Sequence, residues 1–133
     1  MLIRRGATAA LGVVLALTLV TWATVSAKPP VAKIVAPEEG EIVQGPNVTF
    51  TVESSGFKVP DDAHYHLFID QAALRYVLGN PVPIGQEDFV HSRTLTTTVK
   101  LNPGAHFVVL VVGDPQHVPL RPFVGESRYF FVK

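Results

Sequence analysis

The chain has 133 residues, 47% of them hydrophobic, with 11 basic residues against 11 acidic ones and no cysteine. A balance this close to neutrality offers no basic stripe for nucleic acid. The missing cysteines remove disulfides and thiolate chemistry, and the length leaves room for one main core. Stability must come from buried apolar side chains.

The first element in chain order is a leader. The opening "MLIRRGATAALGVVLALTLVTWATVSAKPP" places Arg4 and Arg5 before an apolar run from about Ala7 to Val25 and ends in the small residues Val25 and Ala27. This is the layout of a secretory signal peptide, residues 1–27, with cleavage expected after Ala27. An uncleaved anchor is the alternative, since a bilayer span takes roughly 20 apolar residues. Thr18, Thr21 and Thr24 interrupt the run, and no cysteine follows it to accept a lipid. The expected product is an exported domain, residues 28–133, periplasmic or extracellular and free of the membrane once cleaved. It carries 9 basic against 11 acidic residues, a net charge near −2 with histidine neutral.

Beyond the leader, helical periodicity gives way to short apolar runs between turn residues, the pattern of an all-β domain. "VAKIVA" (residues 31–36) is a first strand, and "NVTFTVES" sets Val48, Phe50 and Val52 on one face against Thr49, Thr51 and Glu53 on the other. "HYHLFID" follows, then "QAALRYVL" as an edge strand or helical turn, then the loop "GNPVPIGQED" with two Gly and two Pro in ten residues. "FVHSRTLTTTVKL" and "AHFVVLVVGD" flank "NPG" (residues 102–104) at hairpin spacing, and the second arm is apolar on both faces, as a central covered strand would be. "SRYFFVK" closes the chain. Seven or eight short strands without helices predict an immunoglobulin-like antiparallel β-sandwich, although the disulfide and buried Trp of antibody domains are missing.

Strand order brings out the histidines. Numbering "NVTFTVES" as strand B, "HYHLFID" as C, "TLTTTVKL" as E, "AHFVVLVVGD" as F and "SRYFFVK" as G makes C and F antiparallel neighbours. His64 and His66 then approach the loop after F, which carries His117. The hairpin about "NPG" sets Ser92 roughly opposite Asp114, so His91 arrives at the same pole. His106 falls at the other pole, across from Lys100. Neutral imidazoles at i and i+2 converge from one strand face, and such nitrogen donors suit copper, zinc and nickel. The alternative is that these are structural histidines that fasten loops, the commoner role for a histidine at a strand end.

Other motifs are weaker. The serines lack a nucleophile elbow, Asp61 and Asp62 read as a solvated turn rather than as a base or oxygen ligands, and Arg128 is expected to pair with Glu126 or Asp114. Nothing assembles a catalytic set, so the chain is not expected to be an enzyme.

The ordered motifs "HYHLFID", "VPIG", His91, "LNPGAHFVVLVVGD" and "QHVP" resemble a family of small secreted bacterial domains of unknown function. That family carries an H-x-H-L-x-I-D strand, a P-G-x-H hairpin and a G-D-x-x-H loop. The resemblance spans about residues 63–133 and is carried by His64, His66, Asp70, His91, Pro103, Gly104, His106, Gly113, Asp114 and His117. It departs at "SRTLTTT" and around Leu120, and it implies no activity. The opening strands also look like those of periplasmic copper carriers, but Lys28 stands where those use an N-terminal histidine.

The expectation is therefore an exported, monomeric, non-enzymatic binding module. Its candidate metal site is His64, His66, His91 and His117, with copper or zinc as the candidate ion. The alternative is a structural or protein-interaction domain with a partner in the cell envelope.

Overall fold

A computed structural model describes residues 26–85 and 89–133. The leader expected at residues 1–27 lies outside them except for its last two residues, and no helix among the described residues is long and apolar enough to cross a membrane. Among the described residues eight strands form two sheets, a β-sandwich as the sequence predicts. The strands are β1 (Val31–Ala36), β2 (Ile42–Val43), β3 (Asn47–Ser55), β4 (His64–Ile69), β5 (Val90–Ser92), β6 (Thr96–Lys100), β7 (Gly104–Gly113) and β8 (Gly125–Val132). One sheet has the order β1-β3-β6 and the other β2-β8-β7-β4-β5. The pairings are antiparallel except for β2 with β8.

The expected hairpin about "NPG" does not form. The stretch from Phe89 to Leu101 is two strands, not one: β5 joins β4 in the larger sheet, and β6 joins β3 in the smaller. Local hydrogen bonds make the break. Ser92 Oγ donates to the Thr94 carbonyl at 2.9 Å and accepts from the Thr94 N–H at 3.3 Å, while Thr94 Oγ1 donates to the Thr96 carbonyl at 2.7 Å. Hydroxyls that take up backbone groups in this way compete with a strand ladder. The chain turns there and crosses to the other sheet. The threonines of β6 then meet those of β3, with Thr49 Oγ1 and Thr98 Oγ1 3.0 Å apart. Strand β7 is left between β4 and β8, central and largely covered on both faces as expected.

The main core lies between the sheets. Ile34, Val48, Phe50 and Val52 pack there against Tyr65, Leu67, Val108, Leu110, Val112 and Phe130. The alternation expected for β3 is what puts Val48, Phe50 and Val52 inside. A second cluster, Phe68, Ala73, Tyr76, Val82, Phe89 and Val111, covers part of the outer face of the larger sheet. Its roof includes "QAALRYVL", which is not an edge strand but a one-turn helix, α1 (Leu74–Val77), with Tyr76 turned inward and stacked on Phe68 at 4.7 Å. Full burial of a large apolar side chain contributes roughly 1.5–3 kcal/mol. Because of this second cluster, β4 is buried on both faces.

Two polar devices close the ends of the sandwich. At the register shift in β1, the Ile34 N–H donates to Glu126 Oε1, and Arg128 Nη2 donates both to the Ile34 carbonyl and to Glu126 Oε1, each at 2.8 Å. The expected Arg128–Glu126 pair thus also ties one sheet to the other. At the far end of β4, Asp70 has φ 55° and accepts from the Phe107 N–H at 3.0 Å and from His106 Nδ1–H at 2.6 Å, while His106 Nε2–H donates to the Asn102 carbonyl at 2.8 Å. His106 pairs across to Phe130, not to Lys100, which faces Asn47. It is nevertheless at the pole away from the other histidines. Burial alone lowers its pKa, but the Asn102 carbonyl and the Asp70 carboxylate outweigh that, and the net direction is upward.

Two outcomes follow from these contacts. Glu126→Ala strands the Ile34 N–H and leaves Arg128 with the Ile34 carbonyl and the longer 3.8 Å contact to Glu39, and should cost about 1–3 kcal/mol in urea denaturation. Asp70→Asn should lower the His106 pKa, read from its ring resonances across a pH titration; an unmoved midpoint would show that the pair does not govern the ring.

Candidate metal centre

Four histidines reach one place by three routes. In β4 the alternation of side chains sends His64, His66 and Phe68 to the outer face, away from Tyr65 and Leu67 in the main core. Strand β5 places His91 directly opposite His66. On the other side, β7 sets Gly113 opposite His64 and Val111 opposite His66, and the chain beyond Gly113 folds back to deliver His117. Gly113 makes the space: a Cβ on it would lie 3.3 Å from His66 Cε1 and 3.5 Å from the His117 carbonyl carbon.

The His117 turn is held by its own backbone and by Asp114. Asp114 Oδ1 accepts from the N–H groups of Gln116 and Val118, both at 2.9 Å, and the His117 N–H donates to the Asp114 carbonyl at 2.9 Å. The Val82 N–H donates to the His117 carbonyl at 2.8 Å, joining this turn to the roof of the second cluster. Arg121 adds another tie, donating from Nη1 to the Val77 carbonyl at 3.1 Å at the end of α1. These bonds hold His117 at φ 66°, the left-handed region that residues other than glycine visit infrequently.

The six distances between the imidazole centroids run from 4.5 to 5.2 Å. Four points with six nearly equal separations describe a tetrahedron; in a square, the two diagonals would be far longer than the sides. One nitrogen from each ring can be chosen so that all four lie within 4.8 Å of one another. Such a set fits inside a sphere of radius about 2.9 Å, to be compared with Zn–N bonds of about 2.0–2.1 Å. Side-chain shifts of about 1 Å would close the set on an ion.

His64, His66 and His117 are buried, at 2%, 0% and 6% exposure, whereas His91 is exposed. His66 Nδ1–H donates to the Val111 carbonyl at 3.3 Å, which leaves Nε2 as the ring's free lone pair. That atom, His64 Nε2 and His117 Nδ1 are the buried side-chain nitrogens without a hydrogen-bond partner among the described residues. An unsatisfied buried polar atom costs about 1–3 kcal/mol. Three of them in one cluster is an arrangement that a bound cation would relieve.

Protonation is disfavoured at His64, His66 and His91. Burial holds His64 down to about 4, with His91, His117 and Arg93 adding to the effect and Asp114 opposing it. Burial holds His66 down to about 3, with His64, His117 and His91 adding and the Val111 carbonyl opposing. His91, though exposed, is lowered as well, first by partial desolvation of its ring among its neighbours and then by His117 and Arg93. Neutral imidazole is the form that ligates.

These shifts also set a pH dependence. An unfolded histidine titrates near 6.5, so as the pH falls below that value the unfolded chain binds protons that folded His64 and His66 refuse. The stability they contribute is present above about 6.5 and is lost as the pH falls toward 4 and then 3. Urea denaturation of the metal-free protein should show a loss on the order of 2–3 kcal/mol for each of these two histidines between pH 7 and pH 4.5. The raised His106 works in the opposite direction, its contribution fading as the pH rises through its folded pKa.

His64, His66, His91 and His117 gather at one pole as the sequence predicts, although His91 arrives by direct β5–β4 pairing and not through a hairpin. His106 stays outside the group, bound to Asp70. Asp61 and Asp62 also stay outside it: Asp62 Oδ2 accepts from the Lys58 N–H at 2.8 Å in an exposed turn. The reading missed the Val111 carbonyl, which orients His66, and the Phe89 ring 5.7 Å from it. No local signal marks either one, because each acts through strand pairing or burial. Asp114, which positions His117, carries a signal in the Asp-Pro turn. Were the four rings to hold an ion, Asp114→Ala, by loosening the backbone that carries His117, should weaken its affinity on the order of 10–100-fold, with little change in the far-UV circular dichroism spectrum. An affinity equal to wild type in calorimetric titration would mean that the turn holds without it.

Comparison with known proteins adds a family and a fold. The model of the family described as "Domain of unknown function (DUF4399)" matches residues 47–128, starting upstream of the stretch that carries the sequence resemblance. No curated protein matches. Among solved structures, an engineered protein is similar with a TM-score of 0.53 at 13% identity over 81% of this chain and 21% of its own. Fibronectin(III)-like modules of Clostridium thermocellum CbhA align with a TM-score of 0.49 at 17% identity over 78% of this chain and 46% of theirs. The chain thus spans less than half the length of either, and the first likeness is one of fold alone.

Proposed function

The chain belongs to the DUF4399 family, and on the geometry of its own residues we propose that it is an exported, non-enzymatic module that binds a transition-metal ion through His64, His66, His91 and His117. The observation that carries this reading is the gathering of four imidazoles whose ring centroids form a tetrahedron, with one nitrogen of each within 4.8 Å of the others and three buried ring nitrogens left unpartnered. Four rings set tetrahedrally suit zinc, while Cu(II) prefers a tetragonal field, so zinc is placed ahead of copper. Four protein ligands fill a tetrahedral shell and leave no position for an activated water, which supports a closed binding site over a hydrolytic one. The export half of the proposal rests on the leader features of residues 1–27.

Titration of the protein with Zn(II) and with Cu(II), followed through the histidine ring resonances, tests this reading. One equivalent of Zn(II) should move the signals of His64, His66, His91 and His117 and leave His106 in place, and should raise the melting temperature. Four unmoved resonances at equimolar metal would reject the site.

One other observation favours the second reading, a contact domain of the cell envelope. On the larger sheet, Ile42 pairs with Phe131 and Tyr129 pairs with Phe107, and Ile42, Tyr129 and Phe131 are 57%, 61% and 47% exposed. An exposed apolar row of this kind suits a protein partner. Under that reading Phe131→Lys should abolish co-sedimentation with envelope fractions while leaving the zinc titration unchanged; equal sedimentation of variant and wild type would count against it.

A further inference from the structure

We infer that the four histidines are not equivalent: His64, His66 and His117 form the tripod that holds the ion, and His91 is the exchange ligand through which the ion enters and leaves. This inference rests on the metal-binding reading and assigns the direction of traffic at that site.

The asymmetry is structural. The three tripod rings are buried, and each has an orphaned nitrogen, whereas His91 is exposed. The tripod is also built on the better-anchored elements. His64 and His66 stand on β4, which is paired on both sides, and His66 is further held by the Val111 carbonyl. His117 is fixed by the Asp114 turn and by Val82. His91 stands in the middle of a three-residue strand at the sheet edge, paired on one side only. Short edge strands with few buried contacts open at low free-energy cost. An ion held by four imidazoles therefore loses the His91 bond first. The position it leaves faces solvent and can be taken by a nitrogen or oxygen donor of an acceptor, after which the tripod bonds break in turn.

The test compares wild type with His91→Ala and His66→Gln, each loaded with Co(II), whose visible absorption reports the ligand set, and challenged with EDTA. His91→Ala should still bind one Co(II), release it at least tenfold faster than wild type, and take up added imidazole with return of the wild-type band shape and a slower release. His66→Gln should lose binding by at least a hundredfold. If His66→Gln fails to fold by circular dichroism, the imidazole response of His91→Ala decides alone. Loss of binding in His91→Ala, release at the wild-type rate, or no spectral response to imidazole would each overturn the assignment. A wild type that takes up no metal overturns the binding reading itself, a distinct result.

Discussion

Everything at the histidine pole depends on one constraint, the burial of β4 on both of its faces. A strand in a two-layer sandwich ordinarily has a dry face toward the other sheet and a wet face toward solvent. Here the second apolar cluster covers the outer face, and Phe68 and Val111 anchor it to the sheet. Phe68 is the next outward residue after His66, so the cover that seals Phe68 extends to the imidazoles. That is why two histidines in a β-strand end up almost without solvent contact. Their desolvation, their low pKa values and their unpartnered nitrogens all have this one cause.

The two poles of β4 treat histidine in opposite ways. At one end, four rings crowd together with little negative charge nearby, and the three buried ones each keep a ring nitrogen without a partner. At the other, Asp70 and the Asn102 carbonyl accept from both nitrogens of His106 and favour its cation. Strand geometry alone does not distinguish these environments, since both ends lie on the same short strand and its neighbour. The partner types do: carbonyl and carboxylate acceptors at one end, and other imidazoles at the other. A cation is therefore bound at both ends in a sense, a proton at His106 and, by our proposal, a metal ion at the cluster.

The stabilising elements and the site share components. The Asp114 turn, the Arg121 contact with the end of α1 and the Val82–His117 bond roof the second cluster and orient His117 at once. The fold itself organises this pole, which under the metal-binding proposal lowers the ordering cost of taking up an ion. The exposed apolar row at Ile42, Tyr129 and Phe131 lies beyond this roof on the same sheet, so the larger sheet presents two unlike surfaces along its length.

Much of this was readable from residues in order. The alternation of Val48, Phe50 and Val52 determined a one-faced strand, the unbroken apolar run of β7 determined a central one, and the neighbouring of β4 and β7 placed His64 and His66 beside the His117 loop. These follow from side-chain period and sandwich connectivity, both properties of local sequence. Tertiary structure decided the remainder. Whether the stretch after Phe89 is one strand or two depends on Ser92 and Thr94 bonding to backbone groups and on the thread of the chain between sheets, and no period of two records that. Whether a histidine is wet or dry depends on what folds over it, here Tyr76, Val82 and Phe89, residues distant from "HYHLFID" in pattern if not in space. The sequence determined which side chains share a strand face, because side-chain period is local; only the fold determined how His91 arrives and that the other three rings are buried, because pairing and burial are properties of the whole.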